Sequence, residues 1–133
     1  EAVMTEQLKW NLNLQMVRGP SVALAGDLSV DAYDKVSVDI EHGAAAVTVD
    51  VQPGDADEVL FLLIQSNRYG EGLTYRVNGA GDAIVLDQPQ FFLGAGAVGV
   101  LGATPQTLEV ENNLAVAADA RLEVLAGRKA VPD

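Results

Sequence analysis

The chain alternates. Leu8, Trp10, Leu12, Leu14 and Met16 share one parity, and Lys9, Asn11, Asn13 and Gln15 the other. A repeat of two places side chains on opposite faces of a strand, whereas at helical spacing these residues would scatter around a cylinder. A long half-buried strand is therefore predicted here. Gly19-Pro20 breaks it, and Val22 and Leu24 predict a short strand that stops before Gly26-Asp27. Val36, Val38 and Ile40 alternate with Ser37, Asp39 and Glu41. After His42-Gly43 the pattern resumes with Val47, Val49 and Val51, which reads as a hairpin with a long connection.

Pro53-Gly54-Asp55 has turn chemistry, because Pro presets φ and Gly tolerates positive φ. The run 59–64 is apolar at every position, as in a central strand covered on both faces. Further strands are predicted at Leu73-Tyr75-Val77, at 84–86 and at 91–93, with a Gly-rich loop at 78–82 and a break at Pro89. Leu108 and Val110 precede an Asn112-Asn113 turn, after which Leu114, Val116, Ala118, Ala120, Leu122 and Val124 share one parity. The sum is an all-β chain of about nine strands, an antiparallel β-sandwich or jelly-roll-like barrel with no substantial helix. Short helical turns are expected at most around Asp31 to Asp34 or Asp55 to Glu58.

With 133 residues and no shift in composition or fixed-period repeat, one domain over 1–133 is expected, with 129–133 frayed. Met4 reads as the native start, so that residues 1–3 would be extraneous, and a processed secretory protein beginning at Glu1 is the alternative. Charge changes the picture more. The formal net charge is −11, from 19 acidic and 8 basic residues, and Arg18, Arg68, Arg76, Arg121 and Arg128 are scattered. Such a field repels phosphate backbones and anionic lipid, so neither nucleic acid nor membrane is expected as a partner. The acidity would keep an apolar, strand-rich chain soluble, and a salt-rich habitat would favour the same composition. No run reaches the ~18 apolar residues of a membrane span, and no basic-then-apolar leader opens the chain. A cytoplasmic or virion setting is favoured over secretion. The chain has no Cys, which removes disulfides, thiol catalysis and thiolate metal sites.

Gly94-Ala95-Gly96-Ala97-Val98-Gly99 spells GxGxxG after an apparent strand. Dinucleotide binding needs a full helix and a parallel strand after those glycines. Gly102 and Pro105 end any helix within about two turns, so the expected role is close backbone approach, a bulge or tight packing. A subunit contact through this small-residue segment is the other reading. Asp55, Asp57 and Glu58 on a turn, and Asp27, Asp31 and Asp34 within eight residues, offer carboxylates for calcium. They lack EF-hand spacing, and acids in turns are ordinarily solvated. His42, the single His, cannot build a multi-His zinc site, and no GxSxG elbow surrounds Ser21, Ser29, Ser37 or Ser66. Paired carboxylates for glycoside hydrolysis remain open, although sugar clefts usually carry more aromatics than Trp10, three Tyr and three Phe. Trp10 is expected in the core.

The loop 66–73 is the expected recognition surface. Arg68, Tyr69, Glu71, Tyr75 and Arg76 combine aromatics and charge around two glycines. No cofactor is expected. The reading favoured by these features is a non-enzymatic structural or assembly protein that forms a homo-oligomer, of the virion, tail or shell kind. The alternative is a binding module for carbohydrate or peptide, with or without calcium, using that loop. Catalysis ranks third.

Overall fold

In the computed structural model, which describes residues 6–52 and 58–129, alternation becomes two facing antiparallel sheets and one projecting hairpin. The first sheet has the order β3-β10-β5-β8, from β3 (Ala32–Ile40), β10 (Ala120–Lys129), β5 (Glu58–Ser66) and β8 (Gln90–Leu93). The second has the order β4-β9-β6-β7, from β4 (Val47–Asp50), β9 (Thr107–Asn112), β6 (Leu73–Val77) and β7 (Ile84–Val85). The third sheet is β1 (Glu6–Gln15) paired with β2 (Ser21–Val30). Among the described residues this makes ten strands and one five-residue helix, α1 (Ala95–Gly99). The fold class expected from the pattern is the one observed: an antiparallel β-sandwich.

Inward-facing residues of both four-stranded sheets meet in a single core. Ile40, Leu62, Ile64, Leu122 and Val124 from the first pack with Val49, Leu73, Tyr75, Leu108 and Val110 from the second. Burial of this kind contributes about 25 cal/mol per Å² of apolar surface and is the main term holding the sheets together. The apolar run at β5 is an interior strand, as expected. Its register against β10 shifts between Gly127 and Arg128, so one extra residue sits on β5. Such a bulge re-aims the side chains beyond it. Val59 turns into the core, while Phe61 is buried outside that core, on the sheet's outer face. The Phe61 ring occupies the space above Gly127, where any Cβ would stand 2.1 Å from the ring edge.

Several expectations are corrected. The segments 36–40 and 47–51 do not form a hairpin: β3 pairs with β10 and β4 pairs with β9, so the chain crosses between sheets. Alternation shows which face is apolar but not which strand lies alongside, and a bridge from His42 to Asn112 carries the crossing. The second strand does not stop at Gly26-Asp27. β2 runs through to Val30, because Gly26 faces Trp10 and leaves room for the indole, which would stand 2.7 Å from a Cβ there. Trp10 accordingly lies half-buried on the hairpin and not in the inter-sheet core. No helical turn forms at Asp31 to Asp34, where β3 begins instead. The run 114–124 is strand only from Ala120.

The glycine motif itself winds into a helix, but it is α1, of five residues, which ends at the last glycine, and Val98 plugs it into the core. Gly94 needs its glycine for a φ of 95°. Close approach does not explain the others, since Gly96 and Gly99 have no neighbour within 4 Å of a Cβ.

The Gly127 contact yields a stability test. Gly127→Ala forces Phe61 out of its seat, and overpacking of this kind costs about 1–3 kcal/mol. The midpoint of urea unfolding should fall by the corresponding amount with an unchanged slope. An unshifted midpoint would mean that Phe61 is free to swing away.

Candidate functional site

Two connections meet at one end of the sandwich. The chain leaves β5 at Ser66 and turns through 67–72 into β6, while 113–119 links β9 to β10. Local hydrogen bonds shape the first turn. The Ser66 amide donates to the Tyr69 hydroxyl at 2.9 Å, and the Arg68 amide to Ser66 Oγ at 3.2 Å. Asn67 Oδ1 accepts from the Arg121 amide at 2.8 Å, anchoring the turn to β10. The second connection is held by a buried amide. Asn112, 1% exposed, donates from Nδ2 to the carbonyls of Ile40 (3.0 Å) and Ala118 (2.9 Å), and its Oδ1 accepts from the Leu114 amide at 3.2 Å.

The connections touch through backbone. The Asn113 amide donates to the Gly72 carbonyl at 2.8 Å, and a Cβ at residue 72 would stand 2.0 Å from the Asn113 carbonyl oxygen. Only glycine fits. Between them lies an open cleft of about 660 Å³, whose lining includes Arg68, Tyr69, Glu71, Asn113, Leu114 and Val116. Arg68 and Glu71 are exposed, Leu114 is buried, and Val116 is exposed. The His42 Nε2, 2.8 Å from the Leu114 carbonyl oxygen, must carry a proton there and steadies the same wall.

Of the five residues expected at a recognition surface, the structure brings Arg68, Tyr69 and Glu71 to the cleft. Tyr75 and Arg76 are not among its lining residues. Tyr75 is 1% exposed, and its hydroxyl donates to Gln90 Oε1 at 2.6 Å, joining β6 of one sheet to β8 of the other. Arg76, of opposite parity, points outward beside Glu109 and Glu111. The 113–116 wall has no counterpart in the sequence pattern, where Asn112-Asn113 reads as a plain turn and 114–118 as strand. The only signal was polarity within an apolar-parity run.

The calcium candidates fare separately. Asp55 and Asp57 lie outside the described residues, and Glu58 opens β5. Asp27 faces Lys9 across the hairpin, and Asp34 pairs with Arg128. Asp31 caps the join between β2 and β3, its amide donating to the Arg128 carbonyl at 2.9 Å. Among the described residues no three acidic or His side chains converge as a metal-ligand set.

Burial pushes the Tyr75 hydroxyl up from 10.0 to about 12. The fold thus favours the neutral phenol, so this contribution is complete below pH 10 and is lost as pH rises through 12. Alkaline titration should show one tyrosinate ionising last, together with loss of the β-sheet signal. Tyr75→Phe should abolish that late step and cost about 0.5–1.5 kcal/mol at neutral pH. Asn112→Ala should cost more, about 1–3 kcal/mol, because it strands buried carbonyls. An equal or smaller loss, measured by urea unfolding, would refute the anchoring role. A comparison with protein families, with curated proteins and with solved structures finds no match for this chain.

Proposed function

We propose that this chain is a non-enzymatic assembly subunit that associates with copies of itself, as virion, tail and shell components do. The observation that supports this most is the β1–β2 hairpin. Register pairs Leu8 with Leu28, Trp10 with Gly26, Leu12 with Leu24 and Leu14 with Val22, so one face of the hairpin is apolar along its length. The other face carries Gln7, Lys9, Asn11, Asn13 and Gln15 with Ser29, Asp27 and Ser21. Near the base Val30 is buried. Toward the tip the apolar side chains stand in solvent: Leu12 at 43%, Leu14 at 54% and Met16 at 66% exposure.

A two-stranded hairpin is marginal alone in water, and an apolar patch of this size on a soluble domain marks an interaction site. Covering Leu12, Leu14, Met16, Val22 and Leu24, which are between 43% and 66% exposed, would contribute about 1 kcal/mol apiece. That is on the scale of the entropy lost in associating two bodies, about 4–15 kcal/mol.

A second reading has its own support. The expected 66–73 loop does line a cleft of about 660 Å³, and its mix of one cation, one anion, an aromatic and an apolar wall suits a carbohydrate or short peptide.

The two readings respond to different measurements. Light scattering after size exclusion should give a defined oligomer, and Leu12→Asp with Leu14→Asp should convert it to monomer while the sandwich stays folded. A wild-type monomer at high micromolar concentration would refute the assembly reading. Saturating glycan or peptide that raises the melting temperature, an effect lost in Arg68→Ala, would establish the cleft instead.

A further inference from the structure

The hairpin has a counterpart on the body of the same chain. The outer face of the β3-β10-β5-β8 sheet is polar toward one end, where Ser37, Gln65 and Glu123 sit side by side, and apolar toward the other. The apolar end carries Leu63 and Leu125, both half-buried, and Phe91 at 43% exposure, stacked edge-on to Phe61 with ring centroids 6.4 Å apart, and is bordered on β3 by the exposed Lys35 opposite Leu125. At its margin the surface runs into the base of the hairpin. There Leu8 and Val30 share an open groove of about 230 Å³ with Tyr33, Phe61 and Leu125. Glu6 and Gln7 edge the same groove, so apolar surface runs from the sheet onto the arm along a polar margin.

Charge distinguishes the arm from the body. From Gln7 to Gly26 there is no carboxylate, in a chain with 19, and the tip carries Arg18. The sheet face offers the complement. Glu123 accepts hydrogen bonds from Ser37 Oγ at 3.4 Å and Gln65 Nε2 at 3.0 Å. These neutral donors fix the carboxylate without neutralising it, and no ion pair involving Glu123 occurs among the described residues. Along the arm the order is apolar ladder, then cation. Along the sheet face it is apolar patch, then carboxylate.

We infer that the partner is a second copy of this chain, and that the two exchange arms, each laying its apolar ladder on the other's outer sheet face with Arg18 toward Glu123. This rests on the self-association reading and gives it a contact. Area decides between one arm and two. The projecting part of the arm is about 20 Å long and 10 Å wide, a flat footprint of about 200 Å² that side-chain relief raises to on the order of 300 Å² of accessible surface on each partner. Stable interfaces bury about 1,200–2,000 Å² in total. One arm falls short, whereas two reciprocal arms reach the lower bound. The exchange also closes: both copies use the same pair of surfaces, leaving none exposed for a third.

Because the native chain lacks Cys, thiols can be placed at will. Leu14→Cys and Leu63→Cys, each checked for a native β-sheet spectrum, are treated with a short bismaleimide separately and as an equimolar mixture. The expected result is a cross-linked pair in the mixture and none in either variant alone, with the wild-type mass stopping at a dimer. Linkage in Leu14→Cys alone would overturn arm exchange in favour of arm-to-arm packing and leave the assembly reading standing. A defined oligomer with no linkage in the mixture, or a mass that keeps growing with concentration, would likewise overturn the exchange alone. A monomeric wild type would overturn both. Arg18→Glu should weaken the dimer about threefold or more, and adding Glu123→Arg should restore it. A dimer constant unchanged by Arg18→Glu would remove the charge pairing.

Discussion

A buried amide sits where three parts of the molecule converge. Asn112 ends β9 in one sheet, donates to Ile40 at the end of β3 in the other, and holds the connection into β10 through Ala118 and Leu114. A side chain with two donors and an acceptor satisfies backbone groups that the sheet ladders cannot reach at this corner. The crossing from β3 to β4, the wall of the cleft and the entry to β10 all take their position from it. A hydrophobic residue of similar size would pack here equally well and leave those groups without partners, and burial makes such orphans expensive.

The fold class was legible because alternation is a property of single strands. Val36, Val38 and Ile40 show their parity whatever lies beside them. Partnership is different. Nothing in 36–51 distinguishes a hairpin from a crossing between sheets, because both bury the same faces and differ only in long-range register. Exposure is hidden for the same reason: Leu12 and Leu14 have the same pattern as Leu122 and Val124, yet the first pair stands in solvent and the second is buried. Gly26 read as a break because glycine usually is one. Here it is the seat of an indole, an effect that requires knowing what lies opposite.

At the cleft, local chemistry carried the reading part of the way. Arg68, Tyr69 and Glu71 belong to one short turn, so proximity in sequence guaranteed proximity in space. Tyr75 and Arg76 lie just beyond it on a strand, where pleating sends one into the core and the other outward beside Glu109. The facing wall arrives from more than forty residues away and is positioned by a side chain that resembles any turn asparagine.

The single tryptophan lies on the arm and not between the sheets, and this has an optical consequence. Indole emission follows local polarity at Trp10, so it reports whether the hairpin is covered rather than whether the sandwich is folded. Emission and far-ultraviolet dichroism would therefore follow separate events on heating: one the departure of the arm, the other the melting of the sheets. The chain carries a built-in probe of its arm, and that probe is largely blind to its core.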